Sequence, residues 1–585
     1  MNNWDLSKFY LGFQDPKFLE DLETFQKEIK ALASLESSFS GQENAQEKLV
    51  DFLTKLSNFY KLTDKLMQFA SLSSSTDSTN MEAIKAMNKM QSELAKLARV
   101  STAFSKWLVT LPSLEEMLKA NPFLEEHAFI IQEMRQNATH LLDEDTESLI
   151  AELKQSGSLA WDRLQSLLTS TVAVDYEGKE ITLSEVRNLA YEPEAEVRKN
   201  AYFAELAAYK KIDQSVAFSL NAIKGEVNVL SKKRGYASPL DQTLEQSRIS
   251  RKTLDSMISA MEDYLEMFRA YLKRKGELLG HKNGLPFYDL FAPMGKVSQT
   301  FTVEEANAYI LKNFGTFSPR LHEMAERAFR DHWVDYLPKK GKVGGAFCSN
   351  AHSIKESRVL TNFTGSFSDV ITLAHELGHA YHGEAIFTES ILNAEYTMPV
   401  AETASTFCET IVNKAALKDA KTVDEKINLL ESSIQDYTQV IVDILSRFYF
   451  EKSVFEGRVT TIFDENELKE LMLDAQKRTY GDGLDPAFYH PYMWLCKSHY
   501  YSGGLSYYNF PYAFGLLFAK GLYAKYLEDK DAFVPLYDEL LSATGRNTCE
   551  DAAKIAGIDV TDKAFWVSSL ELLKEDITLF LELTK

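Results

Sequence analysis

The sequence predicts a mainly α-helical protein that carries only a few short strands. Apolar residues recur at the helical spacing along most of the 585-residue chain, whereas strand-like segments occur at only two places. A single hydrophobic core stops growing well below this length, so we expect either two lobes or one large multi-layer body.

The helical signal begins near the N-terminus. Residues 43–72 and 80–107 both carry large apolar side chains at the helical period, and the Ser- and Thr-rich run Ser71–Thr79 between them predicts a turn. The same periodicity predicts further helical stretches at residues 126–154, 195–212, 251–280, 303–331 and 423–456.

Two segments predict β-hairpins. Residues 171–182 read as two short strands that turn at Gly178. In residues 341–363, Gly344–Cys348 and Arg358–Phe363 flank a polar turn. This second hairpin either forms a sheet edge that pairs with an extended peptide or is merely structural. We place a domain boundary near Pro193, which separates an N-terminal helical domain (1–190) from a second domain (191–585).

Charge and cysteine content exclude several classes of protein. The formal net charge of −21 argues against nucleic acid or an anionic membrane as the main partner, because both require a basic surface. Four scattered cysteines without a C-x-x-C pair argue against a disulfide scaffold, and Cys408 is predicted to be a small buried residue. No signal peptide or membrane-spanning run is visible, so we expect a cytoplasmic protein, with leaderless export still open.

Residues 369–382 predict a helix that carries a metal motif, with Ser366 or Ser368 as its N-cap. His375 and His379 are four residues apart, so their rings lie on one helix face and can share one metal ion. Glu376 lies about 100° further round the helix, from where it can take a proton from a metal-bound water.

A catalytic zinc needs a third protein ligand. His382 lies about 10 Å along the axis from His375, too far for convergence on one ion, so it is expected to support the site or contact substrate. The metzincin pattern requires glycine at position 382 and histidine at position 385, but this chain has His382 and Ala385, which rejects that class.

A second helix offers the third ligand. Glu402 stands in its first turn, shortly after Pro399, and can face the metal helix. Three nearby residues could orient the ligands: Ser405, Thr406 and Glu409. Three glutamates in the connecting stretch compete with Glu402: Glu384, Glu389 and Glu395.

A late segment, His499–Tyr512, holds five tyrosines and a histidine in fourteen residues. A Tyr hydroxyl or a His N–H can donate to the oxyanion of a tetrahedral intermediate. Gly503 and Gly504 allow a flexible turn or a close approach of substrate. The alternative for any one tyrosine is an aromatic core position.

The motif His375-Glu376-Leu377-Gly378-His379, followed by Ala401-Glu402-Thr403-Ala404-Ser405, resembles the oligoendopeptidase F branch of the thimet oligopeptidase-like zinc metallopeptidases. The segments Phe287–Pro293 and Gly344–Cys348 and the late tyrosine cluster look similar as well, so the resemblance covers residues 200–530. It implies a two-lobed helical body with a deep central channel, a small β-sheet beside the zinc helix, and one Zn²⁺ per chain.

The resemblance also implies roles for individual residues. Glu402 becomes the third metal ligand beside His375 and His379, and His499 and Tyr508 become oxyanion donors. The substrate contacts that it implies are Gly345, Ala346, Phe347, His382, Tyr501, Tyr507 and Tyr512.

We therefore predict a zinc metalloendopeptidase that hydrolyses short oligopeptides with a zinc-bound water activated by Glu376. Its partners are short peptides, with no nucleic acid and no membrane, and it is a monomer or a dimer. Two alternatives stay open: a non-catalytic peptide-binding protein, which has no need of the base Glu376, and a metal hydrolase acting on non-peptide amides.

Overall fold

The structure is a computed structural model that describes residues 2–295 and 300–585. Helices dominate it, which confirms the mainly α prediction. In chain order the first fifteen helices are α1 (Pro16–Ala33), α2 (Ala45–Thr76), α3 (Met81–Leu94), α4 (Ala98–Val109), α5 (Leu114–Ala120), α6 (Pro122–Glu126), α7 (Ala128–Ala138), α8 (Glu144–Ser156), α9 (Ser158–Thr171), α10 (Leu183–Asn188), α11 (Ala195–Tyr209), α12 (Asp213–Lys233), α13 (Pro239–Gln246), α14 (Arg251–Asp263) and α15 (Leu265–Leu278).

The later helices carry the sequence motifs. They are α16 (Val303–Phe314), α17 (Pro319–Arg330), α18 (Phe367–Ile386), α19 (Met398–Ala401), α20 (Thr403–Asp419), α21 (Val423–Thr438), α22 (Ile444–Gly457), α23 (Glu465–Tyr480), α24 (Phe510–Glu528), α25 (Lys530–Ala543), α26 (Cys549–Ile555) and α27 (Lys563–Leu583). A π-helical turn at Gln439–Asp443 joins α21 to α22.

Both predicted hairpins are confirmed. The first pairs β1 (Val174–Tyr176) with β2 (Lys179–Ile181) through a two-residue turn, in which Glu177 and Gly178 both have positive φ. The second sheet has the order β3-β5-β4, with β3 (Val334–Asp335) parallel and β4 (Phe347–Ala351) antiparallel to β5 (Glu356–Leu360). This order leaves β4 at a sheet edge.

The turn predicted at Ser71–Thr79 is wrong over most of its length, because α2 continues to Thr76. Its hydroxyl side chains do not compete with the helix but donate back to it: Ser73 Oγ lies 2.7 Å from the Phe69 carbonyl oxygen. Burial of Phe69, Ala70 and Leu72 holds this stretch on the core, and tertiary packing overrides the weak helix propensity of serine and threonine.

The chain forms two compact units, each assembled from three separate segments. Unit 1 takes the described residues within Met1–Leu141, Gln299–Ala415 and Lys525–Ile558, and unit 2 those within Leu142–Ser298, Ala416–Ala524 and Asp559–Lys585. Both the expected boundary near residue 190 and the expected central channel stay predictions.

Unit 1 positions α18. Its core surrounds α2 and α4 and extends to Ala351 of β4 and Leu360 of β5. Helix α18 packs on β4, β5 and α25, because its apolar side chains Val370, Leu373, Ala374, Leu377 and Ala380 are all fully buried. Cys408, on α20, is buried as predicted.

Unit 2 is a helical assembly in which α9 packs on α12, α22 on α23, and α27 on both α14 and α21. The charged pairs that it buries include two between lysine and glutamate: Lys224 Nζ lies 2.7 Å from Glu451 Oε1, and Lys275 Nζ lies 2.6 Å from Glu431 Oε1. Across both units, no helix of the described residues combines the length and the apolarity that crossing a bilayer requires.

Candidate active site

Helix α18 presents two imidazoles side by side. Ser366 caps the helix as one of the two predicted candidates, in a capping box with Asp369, which fixes where the helix begins. One helical turn separates His375 from His379, and their Nε2 atoms lie 3.1 Å apart. Two ring nitrogens that face each other so closely favour a shared cation.

A carboxylate joins them from the second helix. Helix α19 ends at Ala401 and α20 starts at Thr403, so Glu402 stands at the break between them. Its Oε2 atom lies 3.3 Å from His375 Nε2 and 3.4 Å from His379 Nε2. Of the four glutamates that the sequence left in competition, Glu402 is therefore the one beside both histidines.

These three atoms form a nearly equilateral triangle. A tetrahedral ion about 2.1 Å from each donor holds the donors about 3.4 Å apart, and the triangle matches that spacing. The group His375, His379 and Glu402 is thus able to hold a metal ion. Two imidazoles and one carboxylate are the donor set of many catalytic metal sites.

A glycine makes this approach of the two helices possible. A Cβ atom on Gly378 would lie 2.5 Å from the Ala404 carbonyl oxygen and 2.5 Å from Ser405 Cα. Both are backbone atoms, which cannot swing aside. Only glycine at position 378 lets α20 come near enough for Glu402 to meet the histidines.

Hydrogen bonds hold the ligands in place. Glu409 Oε1 lies 2.6 Å from His375 Nδ1, and Ser405 Oγ donates to Glu402 Oε2 over 2.7 Å. Burial alone lowers the pKa of His375, but its hydrogen bonds to Glu402 and Glu409 outweigh burial and raise that pKa to about 10. Burial lowers the pKa of the neighbouring His379 to about 4.

Glu376 lies beside the triangle and is only 6% exposed. Burial raises the pKa of its carboxyl group to about 7, against the opposing effects of His375 and of a backbone hydrogen bond from Cys348 in β4. A carboxylate whose pKa lies near neutrality is suited to accept and return a proton.

His382 is fully buried and does not face the other two histidines. Its ring stacks on Tyr396 with centroids 4.0 Å apart, and its Nε2 atom lies 2.8 Å from Thr544 Oγ1. This position is consistent with the prediction that His382 lies too far from His375 to bind the same ion. Complete burial argues for a supporting role and against direct contact with a peptide.

The three predicted contacts before β4 differ in exposure. Gly345 is exposed, with a φ of +76° that favours glycine, and its carbonyl oxygen accepts a hydrogen bond from Asn362. Ala346 and Phe347 are half-buried, and Phe347 starts the edge strand. Asn350, in the same strand, donates to the His379 carbonyl oxygen and so ties β4 to α18.

The late aromatic segment, which belongs to unit 2, separates into two groups. His499, Tyr508 and Tyr512 cluster at a half-buried surface, with ring centroids 4.7 Å apart for His499 and Tyr508. Burial lowers the pKa of His499, which favours the neutral ring. Tyr501 and Tyr507 are core residues: the Tyr501 hydroxyl donates to the Trp494 carbonyl oxygen, and Tyr507 stacks on Phe455.

Sequence reasoning missed the structural parts of the site. Gly378 was visible only as a variable position of the motif, although glycine inside a buried helix signals a close backbone contact. Tyr396 and Asn350 carried no local signal, because their partners His382 and the His379 carbonyl are distant in the chain.

Comparison with known proteins places this geometry in a family. A model of peptidase family M3 matches residues 188–572, and a model of oligopeptidase F matches residues 112–173. The first match spans well over half of the chain. The chain belongs to peptidase family M3. It is thus a peptidase, and the resemblance drawn from its motifs is confirmed.

Similar proteins of known name align over most of the chain. The oligopeptidase PepF of Bacillus subtilis is 24% identical over 94% of this chain and 84% of its own length. The group B oligopeptidase PepB of Streptococcus agalactiae is 24% identical over 88% of this chain and 86% of its own.

Solved structures share the fold. A crystal structure described as a peptidase from Chlamydophila abortus superposes with a TM-score of 0.86 at 21% identity, covering 100% of this chain and 98% of that one. The oligoendopeptidase F of Enterococcus faecium superposes with a TM-score of 0.70 at 19% identity, covering 97% and 99%.

Proposed function

We propose that this M3 peptidase is a zinc-dependent endopeptidase that hydrolyses short oligopeptides. One observation carries the proposal: three ligand atoms of His375, His379 and Glu402 form a triangle with edges of 3.1–3.4 Å beside the buried carboxyl group of Glu376. The names of its relatives, oligopeptidase and oligoendopeptidase, support the preference for short peptides.

Zinc is the metal that this donor set favours, because borderline-soft imidazoles combined with one carboxylate and an open position are typical of catalytic zinc. When bound, zinc would polarise the peptide carbonyl and lower the pKa of a water molecule. The protein's own part is to hold neutral imidazoles in one orientation. Glu409 does this for His375 through the 2.6 Å contact at Nδ1.

In the proposed mechanism, Glu376 moves the proton. Its carboxylate accepts a proton from the attacking water and then passes it to the nitrogen of the leaving amine. In the metal-free protein, burial raises the pKa of its carboxyl group to about 7, which suits a group that both accepts and returns a proton. This role of Glu376 also favours an enzyme over a non-catalytic peptide-binding protein.

Residues outside the metal triangle are proposed to hold the peptide. We assign oxyanion donation to Tyr508 and His499, supported by their clustering and by the neutral state of His499. The edge strand β4, with Gly345 and Ala346 before it, is proposed to pair with the extended substrate backbone. Tyr512 is proposed as a further contact.

The test uses a quenched fluorescent peptide. We expect cleavage by the purified chain, loss of cleavage with a zinc chelator, and recovery on adding Zn²⁺. Glu376→Gln is expected to lower kcat by about 10²–10⁴-fold while the variant still binds one zinc, because it removes only the proton acceptor. The exposed Glu326→Gln is the matched control. Cleavage that survives Glu376→Gln at full rate would rule out this mechanism.

A further inference from the structure

Unit 2 contains a cavity that the proposed peptidase mechanism does not use. Its volume is about 370 Å³, within the range of about 300–1,000 Å³ that is usual for small-molecule sites. Residues of α10, α11, α15 and α22, the π-helical turn and the segment before His499 line it.

The charged wall of the cavity contains three arginines, and each has its own carboxylate. The pairs are Arg187 with Glu205 at 3.4 Å, Arg198 with Asp289 at 2.8 Å, and Arg447 with Asp443. Because each arginine already has a carboxylate partner, these pairs need no ligand.

Lys497 adds a positive charge that these pairs do not balance. It lines the cavity beside Arg447, and among the described residues no hydrogen-bond or ion-pair partner of its ammonium group is present. Burial, and then the charge of Arg447, lower the pKa of Lys497. In addition, Arg447 Nε is buried without an acceptor in the part of the chain that the structure describes.

Part of the lining is aromatic. Tyr202 and Tyr288 pack with ring centroids 5.8 Å apart, and Phe287 directly precedes Tyr288 in the chain. Such a lining favours a flat apolar group. The cavity thus has both cationic and aromatic side chains in its lining.

The π-helical turn supports a binding role for this cavity. Gln439 and Asp443, at its two ends, both line the cavity, and Asp443 orients Arg447 four residues later. Single π-turns within helices are rare and frequently occur at functional sites.

We propose that this cavity binds a compact organic carboxylate, with its anionic group on Lys497 and Arg447 and its apolar body against Tyr202, Phe287 and Tyr288. Such a carboxylate has two sources: a free aromatic acid, or the C-terminus of a peptide. Asn509 connects the cavity to the peptidase residues of unit 2, because its Oδ1 lies 3.2 Å from Arg447 Nη1 and 3.5 Å from His499 Nδ1.

The first test compares phenylacetate with its neutral analogue phenylacetamide on the full-length chain by titration calorimetry. We expect phenylacetate to bind at least about tenfold more tightly, because only it can form the charge-assisted contacts. Equal affinity of the two compounds would mean that the carboxylate is not recognised, and no binding of either would mean that the cavity takes no such ligand; either result would overturn the proposal. This comparison requires no variant.

Variants then locate the site. Lys497→Met is expected to weaken phenylacetate binding about tenfold or more, whereas Lys497→Arg retains it and the exposed Lys179→Met leaves it unchanged. Phenylacetate held by a metal ion in unit 1 would survive Lys497→Met, and that outcome would also overturn the proposal. Thermal unfolding checks that each variant is folded.

A second arm identifies the source of the carboxylate. On the cleavage-deficient Glu376→Gln chain, an N-acetylated peptide ending in phenylalanine is compared with its C-terminal amide. If the free acid of the peptide binds more tightly than the amide, and Lys497→Met removes this difference, the site binds peptide C-termini. If the two peptides bind equally while phenylacetate still binds, the site takes free acids. Neither arm measures cleavage, so failure here leaves the proposed peptidase function standing.

Discussion

The carboxylate of Glu409 lies 2.6 Å from Nδ1 of His375, on the side of the ring away from the triangle of ligand atoms. This contact sets the orientation of the ring and makes Nε2 the nitrogen that faces a metal. Glu409 is thus a positioning residue whose effect on a metal can be measured separately from catalysis.

Removing this contact should weaken metal binding. We expect Glu409→Ala to lower the zinc affinity of the site with a neutral His375 ring by about 10–100-fold and Glu409→Gln to lower it less, because an amide oxygen can still accept from His375 Nδ1–H. Competition with a chromogenic chelator measures the affinity, and Glu323→Gln, at an exposed position of unit 1, serves as the control. If the zinc affinity of Glu409→Ala were unchanged, the Glu409 carboxylate would have no role in metal binding.

Zinc binding should depend on pH through His375. The pKa of its imidazole in the metal-free protein is raised to about 10, whereas that of His379 is lowered to about 4. Since zinc binds the neutral ring, one proton must leave His375 at neutral pH, so affinity should rise about tenfold per pH unit between about pH 6 and pH 9.

Calorimetry in buffers of different ionisation enthalpy gives the number of protons released, which we expect to be about one at pH 7.5. Glu409→Ala provides the control, because loss of its hydrogen bond lowers the pKa of His375 and should reduce proton release. An affinity independent of pH across this range would contradict the prediction.

Gly378→Ala should disturb the packing of α18 on α20. The added methyl group meets backbone atoms at 2.5 Å, so the helices must separate. We expect a loss of about 1–3 kcal/mol in the free energy of unfolding, measured on the metal-free chain, together with weaker zinc binding as Glu402 moves away. Gly344→Ala is the control, since a Cβ there meets nothing within 4 Å.

The tyrosines of the late segment should separate by function. Tyr508→Phe is expected to lower kcat by about 10²–10³-fold with little change in thermal stability, because it removes one oxyanion donor. Tyr501→Phe should instead cost about 1 kcal/mol of stability, since it deletes the buried hydrogen bond to the Trp494 carbonyl, and should leave kcat unchanged.

Steady-state kinetics and chemical denaturation on the same two proteins test this division. If Tyr501→Phe lowered kcat as far as Tyr508→Phe does, the oxyanion assignment to Tyr508 would fail.

Much of the fold was predictable because its signals are local. Helical periodicity and the Glu177-Gly178 turn depend on neighbouring residues, and both hairpins form where the pattern placed them. The exception is Ser71–Thr76, which is helical although its residues have a weak intrinsic helix propensity. Burial of Phe69, Ala70 and Leu72 stabilises the helix there.

The sequence by itself determined the pair His375 and His379 and the position of Glu376, because one helical turn sets their geometry whatever surrounds them. Tertiary structure decided which glutamate joins them. Glu402 does so because Gly378 admits the second helix, through contacts with Ala404 and Ser405 that lie 26 and 27 positions further along the chain. Packing likewise buried His382, Tyr501 and Tyr507 and left Tyr508 accessible. Residue spacing does not predict this difference, because burial depends on elements that are distant in the chain.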